Sequence, residues 1–344
     1  MVGADPAHAG AGTRAAAIEI AGQVGVLVSR PRIAITVGDP AGIGPEIAAV
    51  AAADASVRAA CDPIVYAPPA GASFMPGVLS AVAGRAAYDV IVSATSDARA
   101  GIVDGVATAP ISKEAFRLAG LPWAGHTDLL GHLTGSPHVA MMFESDELRV
   151  VLATVHIALA DVPRCLTQVS LEATLRLTAR ELPRFGVAAP RIAVAGLNPH
   201  AGEHGLFGDE EARVIGPAVA ACRAEGLLVS GPFPADTVFL RATRGEFDVV
   251  VACYHDQGLI PIKLLAFGRA VNVTLGLPIV RTSVDHGTAF DIAGQGRADA
   301  GSMIAAVTLA ARLASRRQEE LATSRSDSIN TIATSRSDRI NTVA

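Results

Sequence analysis

The sequence predicts an α/β protein with a mostly parallel sheet, on three observations. Short β-branched runs alternate with longer segments of helical period. The chain has 344 residues, half of them apolar, enough for a large core divided between two lobes. Reactive side chains follow directly on several of the β-branched runs, and the carboxyl ends of parallel strands are where open sheets collect ligands.

Strands are expected at Arg32–Val37, Asp104–Thr108, Arg149–Thr154, Arg191–Ala195, Asp248–Cys253 and Ala270–Thr274. Helices fit between them. Pro45 suits the first turn of a helix after the loop Gly38–Gly44. Asp209 can cap a helix whose first turn carries Glu210 and Glu211, with Gly226 at its end. Residues 1–31 form an Ala/Gly-rich extension, and 317–344 a tail with two copies of an eleven-residue Ser/Thr/Asp/Asn-rich repeat, which reads as disordered.

A formal net charge of -5, without a long basic run, argues against nucleic acid or an anionic membrane surface as partner. Cys61, Cys165, Cys222 and Cys253 are too dispersed for a zinc ribbon or redox pair, as expected of a reduced, cytoplasmic protein. Glu19 and Gln23 interrupt the apolar stretch at 15–29, so a signal peptide is not expected. No apolar run reaches the length of a membrane span.

Three strand ends lead to His156, His200 and His255. If those strands are parallel, the histidines share one edge and can hold a metal with open positions; each can equally be a hydrogen-bonded structural residue. Lys263 and Arg281 lie inside apolar segments, where a charge needs a partner, and with His126, Thr127 and Asn272 they suggest an anion site. The loop Gly38–Gly44 is either an anion cradle or a tight turn. It fails as a dinucleotide fingerprint because Ile47 stands where the third glycine belongs.

Seven ordered motifs carry a resemblance over about residues 32–315: Ile35-Thr-Val-Gly-Asp-Pro-Ala-Gly-Ile-Gly-Pro-Glu46, Thr108-Ala-Pro-Ile-Ser-Lys113, Gly125-His-Thr127, Gly196-Leu-Asn-Pro-His-Ala-Gly-Glu203, Pro234-Ala-Asp-Thr237, Tyr254-His-Asp-Gln-Gly258 and Val271-Asn-Val-Thr-Leu-Gly-Leu-Pro278. Together they resemble the 4-hydroxythreonine-4-phosphate dehydrogenase family of pyridoxine phosphate biosynthesis. The resemblance implies a divalent metal (zinc, magnesium or cobalt) on His156, His200 and His255, with the third ligand donated across a homodimer interface. It also implies a phosphorylated hydroxy-acid substrate on His126, Thr127, Lys263, Asn272 and Arg281, with Lys263, Asp236 and Asp256 as candidates for moving the hydroxyl proton.

Asp285–Gly296 is similar to the loop with which isopropylmalate and isocitrate dehydrogenases hold the adenosine of NAD or NADP. That likeness implies His286, Gly287, Thr288, Ala289 and Asp291 as cofactor residues. It further implies an isocitrate/isopropylmalate dehydrogenase-like fold of two α/β/α lobes, 32–125 plus 272–316 and 126–271, with the active site in the cleft between them. The expected reaction oxidises a hydroxyl β to a carboxylate, giving a β-keto acid that loses carbon dioxide. The stretch from Pro45 to Thr108 is shorter than the family pattern. Two further readings stand beside this one: a sister dehydrogenase of phosphothreonate or phosphoerythronate, and a metal-binding protein without catalysis.

Overall fold

The computed structural model describes residues 30–340, with side chains to residue 323, and residues 30–317 form one compact unit. The expected N-terminal extension lies outside the described residues, apart from its last two. Ten strands form one sheet: β1 (Arg32–Thr36), β2 (Asp62–Tyr66), β3 (Gly105–Thr108), β4 (Ala140–Glu144), β5 (Arg149–Leu152), β6 (Ile192–Ala195), β7 (Val229–Phe233), β8 (Val249–Ala252), β9 (Val271–Leu275) and β10 (Val280–Ser283). Their order is β2-β1-β3-β10-β9-β4-β5-β8-β6-β7.

The six expected strands are present within a residue or two of their bounds, and the α/β class holds. The sheet is less uniformly parallel than expected. β2, β1, β3 and β10 run parallel, as do β5, β8, β6 and β7, but β9 is antiparallel to both its neighbours and β4 is antiparallel to β5. The two parallel groups therefore point in opposite directions. Periodicity reports which face a side chain takes and carries no information on strand direction.

One face of the sheet carries a single continuous core, including Ile35, Ile47, Met142, Val151, Val194 and Val273. On the other face the core divides. Ala34, Ile91, Val106 and Leu129 pack under the first parallel group, while Phe143, Leu152, Val250 and Ile262 pack under the second. The interruption falls over the central antiparallel strands.

Pro45 occupies the first turn of helix Gly44–Ala53, as expected. Asp209 differs from expectation: its carboxylate pairs with Arg213 and makes no cap, and Glu211 turns inward and is buried. Gly226, at φ +88°, does close helix Gly216–Ala224. Helix Gly301–Ile340 extends through much of the tail in which composition predicts no structure. Among the described residues no helix is long and apolar enough to cross a membrane.

Candidate active site

Strand register builds the floor of a cleft of about 610 Å³. Pairing sets Met141 against Leu152 and Thr274, Phe143 against Asn272, and Asn272 against Ser283, and side chains two residues apart share a face. Arg281, two residues before Ser283, joins the same face. All but Thr274 line the cleft. One wall comes from the exit of β3, with Lys113, and from the start of helix His126–Thr134. His156, beyond β5, and His255, at the start of the helix after β8, line the cleft as well.

Arg281 is 2% exposed and has no carboxylate partner among the described residues. Its guanidinium donates to Thr274 Oγ1 at 2.9 Å and to Thr108 Oγ1 at 2.7 Å, while Nε is buried without an acceptor. Burial lowers its pKa to about 9. Nearby, His126 Nε2 and Asn272 Oδ1 are also buried without partners. Burial, reinforced by the Arg281 charge, holds the His126 pKa well below the ordinary imidazole value, so the ring is neutral near pH 7. Lys263 Nζ donates to the Asp285 carbonyl at 3.2 Å. The cationic groups of Arg281 and Lys263, the His126 ring and a helix start without a side-chain cap line one cleft, an arrangement with the chemistry to accept an anion.

The five expected substrate residues His126, Thr127, Lys263, Asn272 and Arg281 thus share one cavity. So do His156 and His255, with ring centroids 5.5 Å apart. Burial, then the positive charge of Lys113, lowers the His156 pKa and leaves its ring unprotonated, as a metal ligand requires. Asp256 Oδ1 lies 2.7 Å from His255 Nδ1, which directs Nε2 of that ring to other partners. Two imidazoles of this kind suit zinc or cobalt better than magnesium. His200 does not join them. Its ring lies 6.2 Å from Phe207, and no three His, Cys, Asp or Glu side chains among the described residues gather around one point.

His156 and His200 both have positive φ, at 48° and 52°. Non-glycine residues held there mark sites where the surrounding structure imposes a conformation.

Of the proton-transfer candidates, only Lys263 lines the main cleft. Asp256 borders a smaller cavity of about 210 Å³ that His156 and His255 also line. Asp236 is exposed in the first turn of helix Ala235–Thr243, outside both.

In the expected cofactor loop, His286 and Gly287 reach the cleft, whereas Thr288, Ala289 and Asp291 do not. Lys113 and Asp128 were not singled out from the sequence; both line the cleft and act electrostatically on His156. The signal for Lys113 lay in plain view, as the last residue of the Thr108–Lys113 motif.

The loop Gly38–Gly44 takes the tight-turn alternative. Ile43 N donates to the Thr288 carbonyl at 3.0 Å, and a Cβ on Gly42 would come within 2.8 Å of that same oxygen. Glu46 accepts hydrogen bonds from Gly294 N and Gly296 N. This segment is a clamp on the 285–296 loop, and its missing third glycine needs no other account.

The sequence profile of the family described as pyridoxal phosphate biosynthetic protein PdxA matches residues 28–310. The chain belongs to this family. It is 48% identical over 325 residues to a 4-hydroxythreonine-4-phosphate dehydrogenase of Beijerinckia indica, covering 84% of this chain and 96% of the relative. It is 45% identical over 328 residues to a D-threonate 4-phosphate dehydrogenase of Cupriavidus necator, covering 83% and 98%. The crystal structure of 4-hydroxythreonine-4-phosphate dehydrogenase from Klebsiella pneumoniae superimposes with a TM-score of 0.75 at 44% identity, over 83% of this chain and 99% of that one.

Proposed function

We propose that this chain is an NAD(P)-linked, divalent-metal-dependent dehydrogenase that oxidises 4-phosphohydroxy-L-threonine to a β-keto acid, which decarboxylates to 3-amino-2-oxopropyl phosphate. The observation that carries this reading is Arg281: a buried cation with no carboxylate, at the floor of a cleft whose rim holds two closely spaced imidazoles. The names of the relatives supply the reaction, and the cleft supplies a place for each part of such a substrate.

Arg281, His126 and Thr127 bind the phosphate, and Asn272 and Lys263 orient the carbon chain. His156 and His255 would hold the metal, whose Lewis acidity lowers the pKa of the substrate hydroxyl. Lys263, the candidate within the cleft, is the group we assign to receive the hydroxyl proton. Asp256 orients His255 and does not enter the cleft. The 285–296 loop, clamped by Glu46 and residues 42–43, holds the adenosine side of NAD or NADP, with His286 and Gly287 facing the reaction.

The third ligand, His200, comes from a second copy. An apolar stripe on the helix that starts at His255 is open to solvent, with Ile260 at 66%, Leu264 at 84% and Phe267 at 80% exposure, and Leu159 and Leu206 are exposed too. An apolar surface of this kind beside an incomplete ligand set is what an isologous dimer covers. The lobes are 32–125 plus 272–316 and 126–271, with helix His126–Thr134 of the second lobe packing Leu129 and Leu130 against the first parallel group. The protein acts in the cytoplasm, consistent with four free cysteines, three of them buried.

The test is initial-rate NAD(P) reduction with zinc, cobalt or magnesium supplied, comparing 4-phosphohydroxy-L-threonine with the 4-phosphates of D-threonate and D-erythronate. The first substrate should have the highest kcat/KM. A preference for D-threonate 4-phosphate would move the chain to the role of its Cupriavidus relative, and failure on all three would leave a metal-binding protein without this catalysis.

A further inference from the structure

His200 opens a turn in which six consecutive residues have positive φ: His200 at 52°, Ala201 at 54°, Gly202 at 82°, Glu203 at 42°, His204 at 57° and Gly205 at 95°. Four of these are not glycine. Left-handed helical backbone costs L-residues roughly 1–2 kcal/mol each, so the turn must be imposed by its surroundings.

Its surroundings centre on one carboxylate. Glu211 is 6% exposed, and Oε1 accepts from Leu197 N at 2.8 Å and Asn198 N at 2.7 Å. Oε2 accepts from Asn198 Nδ2 at 3.0 Å, and the same amide donates to Glu210 Oε2 at 2.7 Å. The nearby Arg213 pairs with Asp209 and Glu210 and makes no ion pair with Glu211.

Glycines leave the room this requires. A Cβ on Gly202 would lie 2.7 Å from Glu211 Oε2, one on Gly208 would lie 2.4 Å from Asn198 Nδ2, and one on Gly196 would lie 2.9 Å from Ala201 Cα. Glu211 also begins a π-helical turn, Glu211–Ile215, a local widening often found at functional sites.

We propose that Glu211 is a positioning residue that fixes the entry to this left-handed turn and thereby sets where His200 presents its imidazole. The inference rests on the reading of His200 as a metal ligand. A buried carboxylate is costly unless its lone pairs are filled, and here backbone N–H groups and one amide fill them, so its charge is bound to this one backbone path. Ala201 or Glu203 in an ordinary right-handed turn would point His200 elsewhere.

The test uses the full-length protein stripped of metal by chelation and titrated with Co²⁺, reading affinity and the intensity of the visible d–d absorption, with thermal unfolding alongside. Glu211→Gln is the informative variant. It keeps shape and one acceptor oxygen, but sets an N–H₂ group against Asn198 Nδ2. Affinity should fall 10- to 100-fold, the range seen when groups supporting metal ligands are changed, with altered absorption intensity and an unfolding midpoint close to wild type. Glu211→Ala should lose more; if it does not fold, Glu211→Gln decides. His200→Ala separates the two levels of the argument. If His200→Ala loses Co²⁺ affinity while Glu211→Gln binds with wild-type affinity and spectrum, the positioning role is wrong and the ligand reading stands. If both variants bind as wild type does, His200 is no ligand and the proposal falls with it.

Discussion

Replacing Arg281 with Met separates a binding cation from a structural one. Burial lowers its pKa to about 9, and at about 1.4 kcal/mol per unit the charged form is disfavoured in the cleft by roughly 5 kcal/mol relative to water. Removing the charge relieves that penalty. It also removes two hydrogen bonds and leaves Thr108 and Thr274 with unfilled acceptor sites, which costs about 1–3 kcal/mol each. The substrate-free Arg281→Met protein should therefore unfold in urea at a stability within about 2 kcal/mol of wild type.

Binding should respond very differently. Truncating one side of a buried charge pair costs about 2–5 kcal/mol, so KM for the phosphorylated substrate should rise by roughly 30-fold or more, and inorganic phosphate should lose its inhibition. Arg281→Lys should recover part of the loss, because a point charge replaces a two-pronged donor. A variant that lost many kcal/mol of stability yet kept its KM and phosphate inhibition would show that Arg281 serves the core and not the phosphate.

His126, with a folded pKa below that of the unfolded chain, is protonated more readily when unfolded. The contribution of this group should be level above pH 6.5 and fall as pH drops below it, with a slope of up to about 1.4 kcal/mol per pH unit, and His126→Gln should flatten that slope in urea titrations at several pH values. Leu264→Glu places a charge in the exposed apolar stripe; sedimentation should show dissociation to monomer and activity should vanish with it, whereas an active monomer would contradict a shared site. Mixing inactive His156→Ala and His200→Ala chains should restore roughly a quarter of wild-type activity, the share expected of freely exchanging two-fold dimers, and no recovery would place all ligands in one chain. Glu46→Gln, which weakens the clamp on Gly294 and Gly296, should raise KM for NAD(P) several-fold while leaving KM for the phosphorylated substrate unchanged.

Much of the fold was legible because buried parallel strands read as β-branched runs. The four strands that escaped lack that signature. β2 is an exposed edge containing Asp62 and Pro63, β4 reads Ala-Met-Met-Phe-Glu, β7 contains Gly231 and Pro232, and β10 carries Arg281 in its middle. Arg281 itself was legible for the right reason: a charge in an apolar run demands a partner, and no carboxylate among the described residues supplies it.

The pairing of His156 with His255 followed from strand ends sharing an edge, since β5 and β8 are indeed parallel. The separation of His200 did not, because Asn-Pro-His-Ala-Gly-Glu carries no sign of a left-handed turn. Glu211 was misread for a related reason. Near the start of a helix an acidic residue ordinarily answers the dipole, and only tertiary structure shows this one facing inward to hold the backbone at 197–198.

On the proposed function, this cleft oxidises a phosphorylated hydroxy acid with metal and nicotinamide. The most direct measurement follows NAD(P)H and carbon dioxide together as the metal-loaded protein consumes 4-phosphohydroxy-L-threonine. One equivalent of each per substrate, abolished by a chelator and restored by added metal, is the expected result; substrate left unchanged under every metal, with neither product formed, would contradict it.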